Sequence, residues 1–348
     1  MGQNKCLICA ELDATKTNSH LIPSFMVAKV CSYDGSGKRD REVMFTMELC
    51  KDRVYTGALP DTKIEELFDI ANLSDERIQN ELRVNPASKD YIFCPKCESK
   101  LSKYLEGPYS ISISQSKPID PHISYFFWLS IIWRMSISDQ FGFKLPQNIE
   151  KILGCNLNEY LNAMENNYPI EDIILSTPFS YRLIRASHFL PNQHCDGFIY
   201  GFYDTENNAL LYNFGDTVIC AHFDNTRLND KFTFLGLEKY IREAKVNNGI
   251  DVEQFTEIDN NSMNDASKYV ISEIVPKRLQ FEYELVNKFW NRIGINGTMP
   301  LPMFTHYISQ LYSDKGKQGD RRTPEQYVAA LQNTLDYFGY ELKERQEN

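Results

Sequence analysis

The chain has 348 residues and a mass of 40.4 kDa, with 42% apolar residues and 13% aromatics, enough for real cores, so whole-chain disorder is excluded and two or three domains are expected. Its formal charge of −10 and isoelectric point near 5.2 exclude nucleic-acid binding through the average field, so any polyanion needs a local basic patch. The most apolar stretch, Ile123–Trp133, is about half of what a membrane span requires, and Lys5 and two cysteines precede any apolar run, so a soluble, cytoplasmic protein without a signal peptide and with no membrane partner is expected.

Nine cysteines make an odd count in a long chain, which disfavours a disulfide framework. Four of them form two Cys-x-x-Cys pairs, Cys6/Cys9 and Cys94/Cys97. Zinc prefers four soft or borderline donors in a tetrahedron, and two thiolates with two residues between them bind it from one tight turn. Cys6-Leu7-Ile8-Cys9 lies in a short polar leader that lacks the apolar residues to bury itself. Cys94-Pro95-Lys96-Cys97 follows the strand-like run Tyr91-Ile92-Phe93 and precedes a helical run from Glu98 to Leu105. A knuckle first and a strand-to-helix cysteine pair last is the order of a treble-clef zinc fold, with a structural zinc ion closed in by four sulfurs. The competing reading is four ordinary buried cysteines. The 84 residues between the pairs exceed the usual spacing of about 15–20, so residues 31–85 are read as an excursion from the zinc core.

Inside residues 1–118 the apolar positions Ile64, Leu67, Phe68, Ala71, Ile78 and Leu82 predict an amphipathic helix over 61–83. With residues 96–105 helical, Lys96, Lys100 and Lys103 fall at i, i+4 and i+7, on one face. Three lysines there suit phosphates on an acidic molecule, although an ordinary solvated helix face is the first explanation of such a stripe.

The body, residues 119–348, is expected to be α+β. Ile123 to Ile137 is apolar nearly all round and predicts a buried helix, within which Arg134 requires a partner such as a carboxylate. A second helix is predicted over 147–166. Short aromatic and β-branched runs at 179–189, 197–203, 209–214 and 218–223 predict strands, the last three an antiparallel meander. Helices are predicted again over 235–247, 265–293, 302–313 and 324–343, the last starting at Pro324. His188, His194, Cys195, His222 and Asp224 lie near the strands and read as packed residues rather than as a metal or Cys/His site. The glycine-loosened basic run Lys315 to Arg322 fails the P-loop spacing and reads as a mobile loop.

The order Cys-x-x-Cys, then Ser19-His20-Leu21-Ile22-Pro23, then Cys94-Pro95-Lys96-Cys97-Glu98 resembles HNH-type nucleases of the treble-clef (ββα-metal) group. It is most similar to a branch of uncharacterised bacterial proteins with a Ser-His-Ile-Ile-Pro stretch and a later Ser-x-x-Trp-Arg helix, here Ser130 to Arg134. The resemblance covers about residues 4–25, 90–105 and 128–135. It implies a metal-dependent endonuclease in which His20 is the general base and a Mg²⁺ or Mn²⁺ ion steadies the phosphate. Three positions depart from the group's pattern. Ser19 stands where aspartate or histidine is common, Glu98 where histidine or asparagine is usual, and Asp90 in place of the asparagine that orients the base. Asp90 and Glu98 are oxygen donors that suit Mg²⁺. The implied partners are nucleic acid, DNA ahead of RNA, and a partner protein of a bacterial defence complex. The bland alternatives are a structural or zinc-ligating His20 and a non-catalytic zinc-stabilised adaptor.

Overall fold

The computed structural model describes residues 4–26, 44–49, 52–57, 88–138, 140–141, 143–187, 198–223, 228–229, 231–311 and 324–340. The helix expected over 61–83, the basic run 315–322, His188, His194, Cys195 and Asp224 lie outside these residues. The chain divides into two compact units. One comprises Met1–Thr46, Asp52–Pro60 and Val84–Val270, the other Met47–Lys51, Asp61–Arg83 and Ile271–Asn348.

Four short strands come first: β1 (Ser19–His20), β2 (Met44–Leu49), β3 (Asp52–Gly57) and β4 (Ser88–Lys89). β1 and β4 form their own two-stranded antiparallel sheet, with His20 opposite Ser88. Helix α1 (Pro95–Leu101) follows, with Pro95 in its first turn, where a missing N–H costs nothing. It continues through a π turn, Ser102–Glu106, into α2 (Gly107–Gln115). The proline at 108 explains the π turn. In a regular helix its ring would press on the carbonyl four residues back, and widening the backbone relieves that clash. The Gly107 N–H reaches the Ser102 carbonyl, and a Cβ at 107 would come within 3.0 Å of that oxygen.

Helix α3 (Pro121–Ser138) is buried on nearly every side, as its uniform apolarity predicts. Helix α4 (Gln147–Asn166) packs against it at Gly154, where a Cβ would meet the Trp133 indole at 2.9 Å. A short helix α5 (Glu171–Ser176) leads into β5 (Ser180–Arg185), β6 (Phe198–Asp204), β7 (Ala209–Phe214) and β8 (Thr217–His222). Strands β6, β7 and β8 form the expected meander, and β7 and β8 are buried at every residue. β5 closes on the far side of β8, with Arg182 opposite Cys220. A two-residue strand β9 (Thr256–Glu257) then adds to β5 in parallel, giving the order β2-β3-β6-β7-β8-β5-β9. The sheet is thus larger than the small antiparallel one expected, and not wholly antiparallel. Neither β9 nor the β3–β6 pairing has a local signal.

The loop between α6 (Glu238–Glu243) and β9 lies against the sheet through Asn247, which exchanges backbone bonds with Tyr181 (3.0 and 2.7 Å). It also brings in Glu253, whose carboxylate accepts from Tyr181 Oη (2.8 Å), Tyr109 Oη (3.0 Å) and Trp128 Nε1 (3.0 Å). Helix α6 is shorter than the predicted 235–247 because Leu235 and Gly236 turn left-handed before it and Ala244 is extended after it.

The second unit is built on α7 (Asn260–Arg292), within which the division between the units falls, α8 (Leu301–Leu311) and α9 (Pro324–Tyr337). Its core gathers Val286, Trp290, Met303, Tyr307, Leu331 and Leu335. Helix α9 stops short of the predicted 343, with Gly339 left-handed just beyond it. Among the described residues no helix is long and apolar enough to cross a membrane.

Candidate metal centre and the histidine beside it

The first cysteine turn is closed by its own backbone. The Cys6 N–H donates to the Leu12 carbonyl and the Ala10 N–H to the Cys6 carbonyl, both at 2.8 Å, with Ala10 left-handed at φ 56°. Three further backbone bonds tie this leader to the segment before the second pair: Leu7 N–H to Ile92 O (2.9 Å), Lys16 N–H to Phe93 O (3.1 Å) and Tyr91 N–H to Lys16 O (2.8 Å). In the second turn Cys94 caps α1, its sulfur accepting from the Cys97 N–H at 3.4 Å.

The result is that the sulfurs of Cys6, Cys9, Cys94 and Cys97 all lie within 4.8 Å of one another, and these four residues could hold a metal ion. Three are buried and Cys9 is half-buried. A tetrahedron with metal–sulfur bonds of about 2.3 Å has edges of about 3.8 Å, so the cluster has the right size for zinc. The thiols already differ in acidity. The hydrogen bond from the Cys97 thiol pulls Cys6 down to about 4 against the opposing effect of burial. Cys97, as the partner of that bond, is pushed up, and burial raises Cys94. A bound cation would replace the protons these sulfurs share, since thiolates are the ligands.

His20, which follows the first turn and precedes the second in sequence, lies on β1, half-buried, opposite Ser88. Its carbonyl accepts from Arg134 Nη1 on α3 at 2.7 Å. The preceding Ser19 is fully buried, with its hydroxyl turned to Glu98 in the first turn of α1. Burial raises the Glu98 carboxyl, while the Arg134 charge works in the opposite direction. Ser19 Oγ and Glu98 Oε2 are both buried, and neither completes a hydrogen bond among the described residues. Asp90 is exposed and caps the turn into β1, accepting the Asn18 N–H at 2.6 Å, where Asn18 is left-handed at φ 55°. The structure therefore sets the His20 backbone on Arg134 and Ser19 against Glu98, within reach of the Arg134 charge, and it places Asp90 at the turn before the strand.

The lysines are distributed differently from a uniform charged stripe. Lys100 is buried and reaches α4, donating to Glu165 Oε2 (2.8 Å) and Asn162 Oδ1 (2.7 Å). Lys96 approaches the same Glu165 oxygen at 3.6 Å, and the Lys100 hydrogen bond above all holds the Glu165 carboxyl below its ordinary range. Lys103 is exposed, 3.1 Å from Tyr104 Oη and 4.7 Å above that ring.

The partner that Arg134 requires is Glu106, whose Oε1 lies 2.7 Å from Nη1. Sequence reasoning asked for a carboxylate without finding which one. The local signal was Gly107-Pro108 inside a helical run, which marks the π turn carrying Glu106. In the sheet, His222 meets a cysteine that sequence reasoning did not pair with it: Cys220 Sγ lies 3.4 Å from His222 Nε2, and Arg182 Nη1 lies 2.6 Å from the same nitrogen. No protein family, curated protein or solved structure matches this chain.

Proposed function

We propose that the chain is a zinc-stabilised, metal-dependent nucleic-acid endonuclease of the HNH type, with a treble-clef zinc site that presents His20 as general base. The observation that carries this reading is the meeting of two distant cysteine turns within 4.8 Å, with the His20 strand lying between them in sequence. Zinc in that cluster is structural, because four thiolates leave no open position.

In this reading His20 takes a proton from the water that attacks a phosphodiester, DNA before RNA. Glu98 and Ser19 offer the oxygen donors for Mg²⁺ or Mn²⁺, and their uncompleted hydrogen bonds suit a site made for a hard cation. When bound, that ion supplies charge stabilisation to the phosphate. Asp90 holds the turn from which β1 departs, and so sets where the imidazole stands. Lys103 is the lysine of its face that is exposed and bound to no carboxylate among the described residues, and it is assigned to the nucleic-acid backbone, with Lys96 at the rim.

One observation favours a second, non-catalytic reading. Lys96 and Lys100 already lie against Glu165, so the basic face offers a polyanion less than its sequence suggests. A zinc-stabilised adaptor, whose C-terminal unit binds a partner protein of a defence complex, accommodates that. Incubation with plasmid DNA or RNA in Mg²⁺ or Mn²⁺ separates the two readings. The nuclease reading expects cleavage that falls about 10²- to 10⁴-fold in His20→Ala, with zinc content unchanged. Equal cleavage by parent and variant ends the assignment of His20. Silence in every metal, alone and with the partner, ends the nuclease reading in favour of the adaptor.

A further inference from the structure

Behind His20 lies a buried polar cluster that the two-knuckle pattern does not call for. Arg134 is 1% exposed on a helix that is apolar nearly all round, so its guanidinium must be satisfied inside the protein. Four contacts do this. Nη1 donates to the His20 carbonyl (2.7 Å) and to Glu106 Oε1 (2.7 Å), Nε donates to the Ser130 carbonyl (3.2 Å), and Nη2 to Ser130 Oγ (3.3 Å). The rigid guanidinium fork thus fastens the backbone of β1, at the residue carrying the imidazole, to α3.

The π turn decides which carboxylate meets that fork. Glu98 and Glu106 are eight residues apart, and at about 100° per residue a regular helix would set them about 80° apart around the axis. A π turn takes up one extra residue, which brings Glu106 to within about 20° of Glu98. Both carboxylates then face β1 and Arg134. Glu106 is consumed by the guanidinium, while Glu98 keeps an oxygen without a hydrogen-bond partner among the described residues. The helix distortion therefore gives two like residues different tasks, and π turns inside α-helices recur at functional sites for this kind of reason.

We propose that Arg134 and Glu106 are positioning residues for His20: the Arg134 fork, held by the π-turn carboxylate of Glu106, fixes the strand from which the imidazole projects and leaves Glu98 for a ligand. This rests on the reading of His20 as general base. The test uses the full-length, zinc-loaded chain with Glu106→Gln, which keeps an acceptor and loses the charge, and Arg134→Lys, which keeps the charge and loses the fork. Two readouts are taken on each: plasmid nicking in Mn²⁺ resolved into kcat and KM, and the ring NMR signals of His20 against those of His122 and His306.

The expected result is a fall in kcat of about tenfold or more with KM unchanged, together with displaced His20 signals, unmoved His122 and His306 signals and full zinc content. If Arg134→Lys fails to fold, Glu106→Gln decides alone. A folded, zinc-loaded Glu106→Gln with parental kcat and parental His20 signals overturns the inference while leaving the base reading intact. Parental cleavage by His20→Ala, or a parent that does not nick, removes the base reading itself. The positioning of the ring is then judged by NMR alone: displaced His20 signals sustain it and unmoved signals overturn it.

Discussion

At Cys6, Cys9, Cys94 and Cys97 four sulfurs lie within 4.8 Å of one another, whereas in the sheet a single cysteine, Cys220, lies 3.4 Å from His222. The residue types are the same and the chemistry is opposite. In the first place one thiol is already drawn down to about 4 by a neighbouring thiol, and the backbone on both sides is tied into turns that aim sulfur inward. In the second, burial pushes Cys220 up to about 12, and Arg182, which can only donate, faces the same imidazole nitrogen. A neutral thiol and an imidazole whose acceptor is occupied make an inert pair. Proximity of cysteine to histidine is therefore not evidence of a site. What distinguishes the two places is the number of thiols brought together and the sharing of a proton between two of them, which lowers Cys6 while Cys94 and Cys97 are raised.

The largest effect that sharpens this contrast comes from taking the metal away. Structural zinc sites contribute roughly 10–16 kcal/mol of apparent binding energy in small domains, all of it folding energy. Chelation, or Cys94→Ser, is expected to abolish stoichiometric zinc and to expose residues 4–26 and 88–101 to amide hydrogen exchange. Cys220→Ala is expected to leave zinc at one ion per chain. Elemental analysis with hydrogen-exchange mass spectrometry checks both, and zinc lost equally from the two variants would erase the distinction.

A smaller effect appears at high pH. An ordinary cysteine thiol titrates near 9, and folding moves Cys220 to about 12. Below 9 the thiol is neutral in both states and gives no slope. From 9 towards 12 the unfolded chain loses its proton first, so stability falls as pH rises, by up to about 4 kcal/mol. Denaturant unfolding between pH 8 and 11 is expected to show this slope in the parent and a shallower one in Cys220→Ala. Parallel curves would mean that the sheet thiol is not held neutral.

The smallest effect concerns the helix that follows the second cysteine pair. Lys100 joins α1 to α4 through Glu165 and Asn162, but Glu165 is 36% exposed, so solvent screens much of the attraction. Lys100→Met, which keeps the stem and removes the charge, is expected to lower the denaturation midpoint slightly and to leave zinc content unchanged. Loss of zinc in that variant would make the α1–α4 contact part of the metal centre.

Much of the frame was legible in the chain. Helix α3 followed from uniform apolarity, α4 from Pro146 opening it and Tyr168-Pro169 closing it, and the β6–β7–β8 meander from short β-rich runs separated by turn residues, because each pattern acts over neighbouring residues. The β5–β8 and β5–β9 pairings were not legible, since partners 40 or 70 residues away leave no mark on local composition. At the candidate site the cysteine spacing was readable. The burial of Lys100 was not, because a lysine on a helix face reads the same whether water or a neighbouring carboxylate meets it.

The order and spacing of residues by themselves determined the two thiol turns, the histidine strand between them and the need of Arg134 for a carboxylate, since each follows from bonding capacity within a short segment. Tertiary structure alone decided that Glu106 answers that need and that Glu98 keeps an oxygen unpartnered among the described residues. The physical reason is that a single π turn rotates everything after it, and only packing against α3 and β1 gives that rotation a consequence.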